Sequence, residues 1–239
     1  MKITSLLIFI LFISSFHSIS QDFKSYHGAY GDGNAEYTYV ENNNSQRLIV
    51  GRFVYSDTLT IAGRGECSVS MIGNYVDGKK SAPWVCTIKG MDNESSETLT
   101  GPYKDGQKMG LWTNRISIGS KDVKLATASF YRNTFKNAFR YSYEPIEPIG
   151  VYKKLNVVGA FDDKGMYHGE WKISYTNMSD VEYEDVMRYQ NGVLAYRLKK
   201  EVGTGLEMER FDEEQMVTDF FANLQFCLLY TSDAADEED

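Results

Sequence analysis

The sequence predicts an all-β protein: an elongated antiparallel sheet built from successive β-hairpins. The first observation is a repeated phrase. Gly-x-Tyr-x-Asp-Gly occurs at residues 28–33, 73–78 and 101–106, and a longer version, GAFDDKG, occupies residues 159–165. The second observation is that Asp-Gly between alternating segments is typical of a two-residue hairpin, because a type I′ turn needs positive φ at both central positions. Turn signals that recur along a chain predict an array of repeated units.

The segment GPYKDGQKMGLW, residues 101–112, shows how one unit is built. With Asp105 and Gly106 in the turn, Gly101 is expected opposite Gly110. Side chains alternate between the two faces of a strand. One face of this hairpin is therefore expected to carry two glycines and two aromatic residues: Gly101, Tyr103, Gly110 and Trp112.

Two further copies give the same arrangement of a small pair beside two rings. In the longer copy, a three-residue loop over 163–165 with Gly165 in the left-handed position absorbs the extra residue. The two groups, in chain order, are Gly73, Tyr75, Ala82 and Trp84, and Gly159, Phe161, Gly169 and Trp171. The register is thus expected to survive the insertion.

The facing glycines suggest a packing role. A pair of small residues leaves a shallow gap on the sheet, and a ring from the same or the next hairpin can cover it. A single hairpin is marginal alone, whereas stacked hairpins bury a continuous aromatic ridge. Ten repeat glycines are assigned this structural role or a turn role: Gly28, Gly33, Gly73, Gly78, Gly101, Gly106, Gly110, Gly159, Gly165 and Gly169.

Gly-x-Tyr-x-x-Gly followed by a small residue and an aromatic one resembles the MORN repeat in the variant common in bacteria. The resemblance covers roughly residues 26–198, with four clear copies and three degenerate ones. It implies an elongated, twisted sheet of antiparallel hairpins in a protein that scaffolds protein partners or lies near membranes. Some bacterial members are antitoxin-like. The irregular spacing and the N-terminal leader depart from the family pattern, and the leader argues against a cytosolic antitoxin.

Both ends of the chain differ from the array. MKITSLLIFILFISSFHSIS has a positive start, an apolar run and small residues before a cleavage position, as in a secretory leader cut after Ser20. The alternative is an uncleaved membrane anchor, which the short apolar run disfavours. At the other end, residues 227–236 match one translated frame of a transposon-based sequencing adapter. We therefore expect that segment to be read-through and the natural protein to continue past Phe226.

Between these ends, two changes of pattern suggest boundaries. YEPIEPIG, residues 143–150, contains two prolines, which favours a break in the array. FDEEQMVTDFFANLQF then shows helical spacing after a cap at Asp212, which predicts a short C-terminal helix. The expected organisation is a signal peptide (1–20), MORN-like hairpins (21–143), further hairpins (150–198), a helical cap or the start of a truncated region (199–226), and non-native read-through (227–239).

The sequence offers little catalytic chemistry. The full sequence has a formal charge of −8. Without the leader and the last thirteen residues, 28 acids remain against 24 bases. This mildly acidic balance gives no electrostatic reason to expect nucleic acid as a partner. No metal site and no cofactor is expected, because His27 and His168 both lie inside the hairpin framework. Cys67 and Cys86 either pair in an oxidising compartment or remain free thiols. Surface acids are more often solvated than catalytic, and this applies to Asp162, Asp163 and Glu170.

The most direct functional reading is an exported scaffold, not an enzyme, that binds a protein partner. The alternative is a module that binds a glycan or another cell-envelope component through exposed aromatic residues. The candidates for such stacking platforms are Tyr75, Trp84, Tyr103, Trp112, Phe161 and Trp171. A third reading places the activity beyond residue 226. Burial of the six rings against adjacent hairpins favours the scaffold, whereas a row of exposed rings favours the glycan module.

Overall fold

The computed structural model describes residues 22–61, 65–91, 94–146 and 152–211. These ranges contain fifteen strands and no helix, which confirms the all-β prediction. The strands are β1 (Lys24–Tyr30), β2 (Gly33–Glu41), β3 (Arg47–Ile61), β4 (Gly65–Val76), β5 (Lys79–Gly90), β6 (Ser95–Lys104), β7 (Gln107–Lys108), β8 (Gly110–Ile118), β9 (Lys121–Tyr131), β10 (Thr134–Tyr143), β11 (Tyr152–Phe161), β12 (Tyr167–Asn177), β13 (Glu182–Gln190), β14 (Val193–Glu201) and β15 (Glu207–Phe211). The leader and the adapter-like segment lie outside the described residues, as do residues 212–226 of the expected helical cap. Residues 199–211 of that expected cap are instead the end of β14, a turn and β15.

All fifteen strands form one open antiparallel sheet in which chain neighbours are also spatial neighbours. The short β7 pairs only with β6, and β8 takes the next place on the path. β10 and β11 are hydrogen-bonded partners from Tyr143 opposite Leu155 to Asn137 opposite Phe161. The sheet therefore continues across the proline-containing segment between these strands.

Two of the predicted turns have the expected register. Lys104 lies opposite Gln107, which places Asp105 and Gly106 at the two turn positions. Both have positive φ, 52° and 80°, as a type I′ turn requires. Residues 77 and 78 repeat this geometry in the hairpin of β4 and β5, with φ values of 50° and 72°. In the longer copy, Gly165 takes the left-handed position with φ of 79°, as expected.

The first copy turns one residue earlier than the Asp-Gly rule predicts. Tyr30 lies opposite Gly33, so the turn is formed by Gly31 and Asp32. Gly31 has a φ of 54° and supplies the positive φ that the sequence assigned to Gly33. YGDG contains two glycines that can each take this role, and Gly33 is needed elsewhere: a Cβ there would meet the backbone of Ser56 and the ring of Tyr55.

The expected pairing of small residues across each hairpin is wrong by two residues. Thr100 lies opposite Thr113, so Gly101 faces Trp112 and not Gly110. Gly110 instead has a φ of 65° and sits in the segment where the register changes between β7 and β8. Register shifts occur at the corresponding places in the hairpins of β4 with β5 and of β11 with β12. The residues with positive φ there are Ala82 (60°) and Gly169 (66°).

The three register shifts are β-bulges, and each of them places a tryptophan ring on a glycine. A Cβ on Gly101 would fall 2.5 Å from Trp112 Cε2 and closer to two other ring atoms. Gly73 under Trp84 and Gly159 under Trp171 are equally obstructed. Because the bulge adds two residues, it leaves the alternation of faces intact. Each tryptophan therefore stays on the expected face but packs on the glycine of its own hairpin.

One cross-strand row follows from this register, and we call it the central row. Large and small side chains alternate along it over nine neighbouring strands, from β3 to β12: Phe53, Gly73, Trp84, Gly101, Trp112, Ala128, Phe139, Gly159 and Trp171. The buried hydrophobic cluster contains the large members of this row together with their neighbours on the same face. We call this side of the sheet the aromatic face. Its side chains cover one another, so the core is a layer of rings on a single sheet.

Candidate functional site

The six aromatic candidates all lie on the aromatic face. Trp171 is fully buried, Trp112 is 3 % exposed, and Trp84, Tyr75 and Tyr103 are 6–7 % exposed. Phe161 is partly buried against the same cluster. None of them therefore presents an open ring to solvent.

The rings form a connected series across the strands. Tyr75, Trp84, Tyr103 and Trp112 meet edge to face, with successive ring centroids 5.3, 5.8 and 5.1 Å apart. Two rings that the sequence pattern did not single out, Phe130 and Phe135, continue the series to the second group. Phe161 and Trp171 then meet at 5.1 Å. Aromatic pairs at such distances each contribute about 0.5–1.5 kcal/mol beyond area burial.

Each tryptophan also uses its polar edge within the sheet. Trp84 Nε1 donates to the carbonyl of Asn74 at 3.2 Å, and Trp112 Nε1 donates to that of Pro102 at 3.2 Å. Trp171 Nε1 donates to the carbonyl of Ala160 at 3.0 Å. In all three hairpins the acceptor is the residue directly after the glycine under the ring. The tryptophans are thus held by packing and by a hydrogen bond at the same position of each unit.

Two lysines cover the ring series at its turn end. Lys80 Nζ lies 5.2 Å from the Trp84 ring centroid, and Lys108 Nζ lies 5.2 Å from that of Trp112. Burial and, secondarily, the nearby Lys80 lower the pKa of Lys108 below its ordinary value. The repeat motif does not include these lysines. Each lysine follows Asp-Gly by two positions, and Lys80 lies opposite Tyr75 as Lys108 lies opposite Tyr103. This repeated position is the sequence feature that could have identified them.

The repeat glycines divide by role. Three lie under tryptophan rings: Gly73, Gly101 and Gly159. Three take positive φ at or beside a hairpin turn: Gly78, Gly106 and Gly165. Two take positive φ where the register shifts: Gly110 and Gly169. Gly28 in β1 lies opposite Ala35, and Gly33 opens β2.

Cys67 and Cys86, the two cysteines of the described ranges, are both free. Cys67 lies opposite Gly90 and Cys86 lies opposite Met71, so four residues separate the thiols along the strands. This is about 13 Å at the rise of a strand, whereas a disulfide joins Cα atoms within about 7 Å. Burial, with a smaller effect of Glu97, raises the pKa of the Cys86 thiol to about 11. A thiol with that pKa is a poor nucleophile at neutral pH.

The carboxylates considered for catalysis have structural partners. Asp162 Oδ1 accepts the backbone N–H groups of Lys164 and Met166 at 2.8 and 2.9 Å. The bond from Met166 contributes most to holding the pKa of Asp162 below its ordinary value. Asp163 pairs with Lys136 at 2.8 Å. Glu170 approaches Arg188 at 3.5 Å, while His27 and His168 lie exposed on β1 and β12.

The side opposite the aromatic face has an open depression of about 270 Å³ over β11–β13. Glu184 lies in its lining and pairs with Lys200 at 3.0 Å and with Lys172. The hydrogen bond from Lys172 contributes most to lowering the pKa of Glu184. This carboxylate is therefore committed to an ion-pair network across three strands.

A scan against family models, a search of curated proteins and a search of solved structures find no match to this chain. Within the described ranges, no helix has the length and apolar character needed to cross a membrane.

Proposed function

We propose that this chain is an exported, MORN-like repeat protein that acts as a scaffold and binds a protein partner. The observation that carries the proposal is the burial of Trp84, Trp112 and Trp171 with their indole N–H groups bonded inside the sheet. Rings in this state stabilise the array and are not open to stack on a sugar. The resemblance to the MORN repeat and the secretory character of residues 1–20 supply the rest of the proposal.

A binding role fits the chemistry of the described residues better than catalysis does. The raised pKa of Cys86 disfavours a thiolate nucleophile, and Asp162 is engaged with its own turn. An extended sheet, by contrast, offers a large area for a protein surface. We therefore infer a scaffold and not an enzyme for this portion of the protein.

Affinity capture tests the proposal. The tagged full-length chain is expressed in the organism that carries the gene, cross-linked in the intact cell, and purified with its bound proteins. We expect one protein to be recovered in near-stoichiometric amount, and recovery to fail for a Gly101→Val, Gly159→Val variant whose ring packing is obstructed. The mature N-terminus is expected at Gln21.

A glycan array run with the same protein separates the alternative function. Binding to a defined saccharide, with no protein recovered after cross-linking, would reject the scaffold proposal in favour of the cell-envelope module. Sequencing the native gene past the codon for Phe226 tests the third hypothesis, in which the activity lies beyond residue 226. A catalytic domain there would make the array an N-terminal arm.

A further inference from the structure

The side of the sheet opposite the aromatic face is rich in hydroxyl and β-branched residues over β3–β10. One row in register across six strands consists of β-branched side chains: Val54, Ile72, Val85, Thr100, Thr113 and Thr127. Beside it lies a row of hydroxyl residues: Ser56, Ser70, Thr87 and Thr98. We call this region the hydroxyl face. Ile72 and Val85 are 42 % and 37 % exposed, so its centre includes accessible apolar surface.

Basic side chains surround this centre. Six exposed residues of β3–β10 point to the same side by strand alternation: Arg52, Lys79, Lys89, Lys104, Arg115 and Arg140. Within these strands the acids on that side are Glu66 and Asp122, and Asp122 pairs with Arg115 at 3.4 Å. Three further exposed acids border the face: Asp77 and Asp105 in the adjoining turns, and Glu36 of β2 opposite Val54. Residues 21–226 carry 28 acids against 24 bases, so the charge on this side of these strands is opposite in sign to that of the array as a whole.

We propose that the hydroxyl face is the docking surface for the partner, and that the partner is a folded protein presenting an apolar centre surrounded by aspartate and glutamate. This inference rests on the proposed scaffold function and specifies its surface and partner chemistry. Protein interfaces have an apolar core and a polar rim, which is the arrangement of Ile72 and Val85 within a basic border. A protein that binds a polyanion places cationic side chains along the whole length of the bound polymer. The centre of the hydroxyl face is uncharged, so this face does not have that arrangement.

The size of the face also suits a protein. It spans seven strands, or about 29 Å at the spacing of neighbouring strands. Along the strands it measures about 27 Å, because Lys79 and Lys89 lie opposite Val76 and Ser68, which are eight residues apart on β4. The product, about 780 Å², is close to the roughly 800 Å² that each partner contributes to a standard interface. A second copy of this chain docking with the same face would bring two basic borders together. The observations therefore favour a different, acidic protein.

Selection from a display library tests the proposal directly. The probe is a library of one small folded domain with a randomised surface, panned on the full chain. Two variants alter the hydroxyl face at exposed positions: Lys89→Glu with Arg140→Glu at the border, and Ile72→Asp at the centre. Arg132→Glu with Lys164→Glu is the matched control, because it makes the same charge change in hairpin turns. Unchanged tryptophan fluorescence verifies that each variant is folded.

We expect enriched clones to contain more Asp and Glu than the starting library. Their Kd should rise at least tenfold for each hydroxyl-face variant and stay within twofold for the control. Clones that bind all variants equally, through an edge strand or the aromatic face, would reject this surface while leaving the scaffold function in place. Binding of heparin or of phosphatidylserine vesicles that is lost in the border variant, without acidic clones, would reject a protein partner here in favour of an anionic polymer or lipid.

Discussion

Replacing Gly101 by alanine tests whether the glycines exist to admit the tryptophan rings. The new methyl group would stand 2.5 Å from Trp112 Cε2, and nearer to two other ring atoms, where an ordinary contact needs about 3.4–4 Å. The ring therefore has to move by about 1 Å or the backbone has to shift. Neither movement is easy, because Trp112 is 3 % exposed and packs against Tyr103 and Phe130.

The size of the effect follows from three contributions. Overpacking a filled site costs about 1–3 kcal/mol. Displacing the ring also weakens the bond from Trp112 Nε1 to the carbonyl of Pro102, which is worth about 1 kcal/mol. Alanine reduces the entropy of the unfolded chain and offsets about 0.4–1 kcal/mol. The free energy of unfolding should therefore fall by about 1–3.5 kcal/mol.

Gly203→Ala is the matched control, since a Cβ at this position meets nothing within 4 Å. Unfolding is followed by guanidinium titration with tryptophan fluorescence. Because a repeat array can open locally, hydrogen exchange of the β6 and β8 amides is compared with that of β13 in the same molecule. We expect faster exchange in β6 and β8 for Gly101→Ala and no difference for the control.

If Gly101→Ala unfolds within 0.5 kcal/mol of Gly203→Ala, and exchange in β6 is unchanged, then the sheet accommodates a side chain under Trp112. The glycine would have to be explained by turn or folding requirements instead.

Three further predictions use other parts of the sheet. Trp171→Ala should destabilise the protein by about 3–5 kcal/mol in thermal or chemical unfolding, because Trp171 is fully buried. The control Leu111→Ala, at a 58 % exposed position, should change stability by less than about 0.5 kcal/mol. Burial raises the pKa of Tyr167 to about 12, so its neutral form favours the folded state; this stability is fully present below pH 10 and is lost as the pH rises towards 12. Tyr167→Phe should make urea midpoints at pH 9 and pH 11.5 differ less than in the unaltered protein, and an unchanged difference would contradict the shift. Iodoacetamide at pH 8 should modify Cys86 slowly, because its pKa is raised, and the buried Cys67 only after unfolding. Both thiols should be alkylated without reductant, since they are free. A disulfide-linked peptide containing residues 67 and 86 in mass spectrometry would contradict this geometry.

The period-two alternation explains why much of the aromatic face could be predicted. Tyr103 and Trp112 share a face whether the hairpin is regular or carries a bulge, provided that the bulge contains two residues. The turn at Asp105 and Gly106 was equally accessible, because few sequences combine positive φ at both positions with alternating flanks. Local chemistry therefore determines these features.

The bulges could not be predicted from the same sequence patterns. Ala82 takes a φ of 60°, which its residue type does not suggest, and it does so because the ring of Trp84 occupies the site over Gly73. The turn at Gly31 likewise depends on β3, whose Tyr55 fills the space beside Gly33. These choices depend on side-chain contacts between strands, which a rule based on turn residues and alternation alone does not include.

The alternation of large and small residues along the central row limits how such a chain can change in length. From Phe53 to Trp171, every ring has a glycine or alanine on at least one side, so removing one strand would place two rings, or two small residues, next to each other. Removing two neighbouring strands restores the order. The alternation stops at the ends of the row, where Tyr37 lies opposite Phe53 and Met187 opposite Trp171. Relatives whose length differs within the row should therefore differ by even numbers of strands, which makes the hairpin the smallest step by which this part of the sheet can grow or shrink.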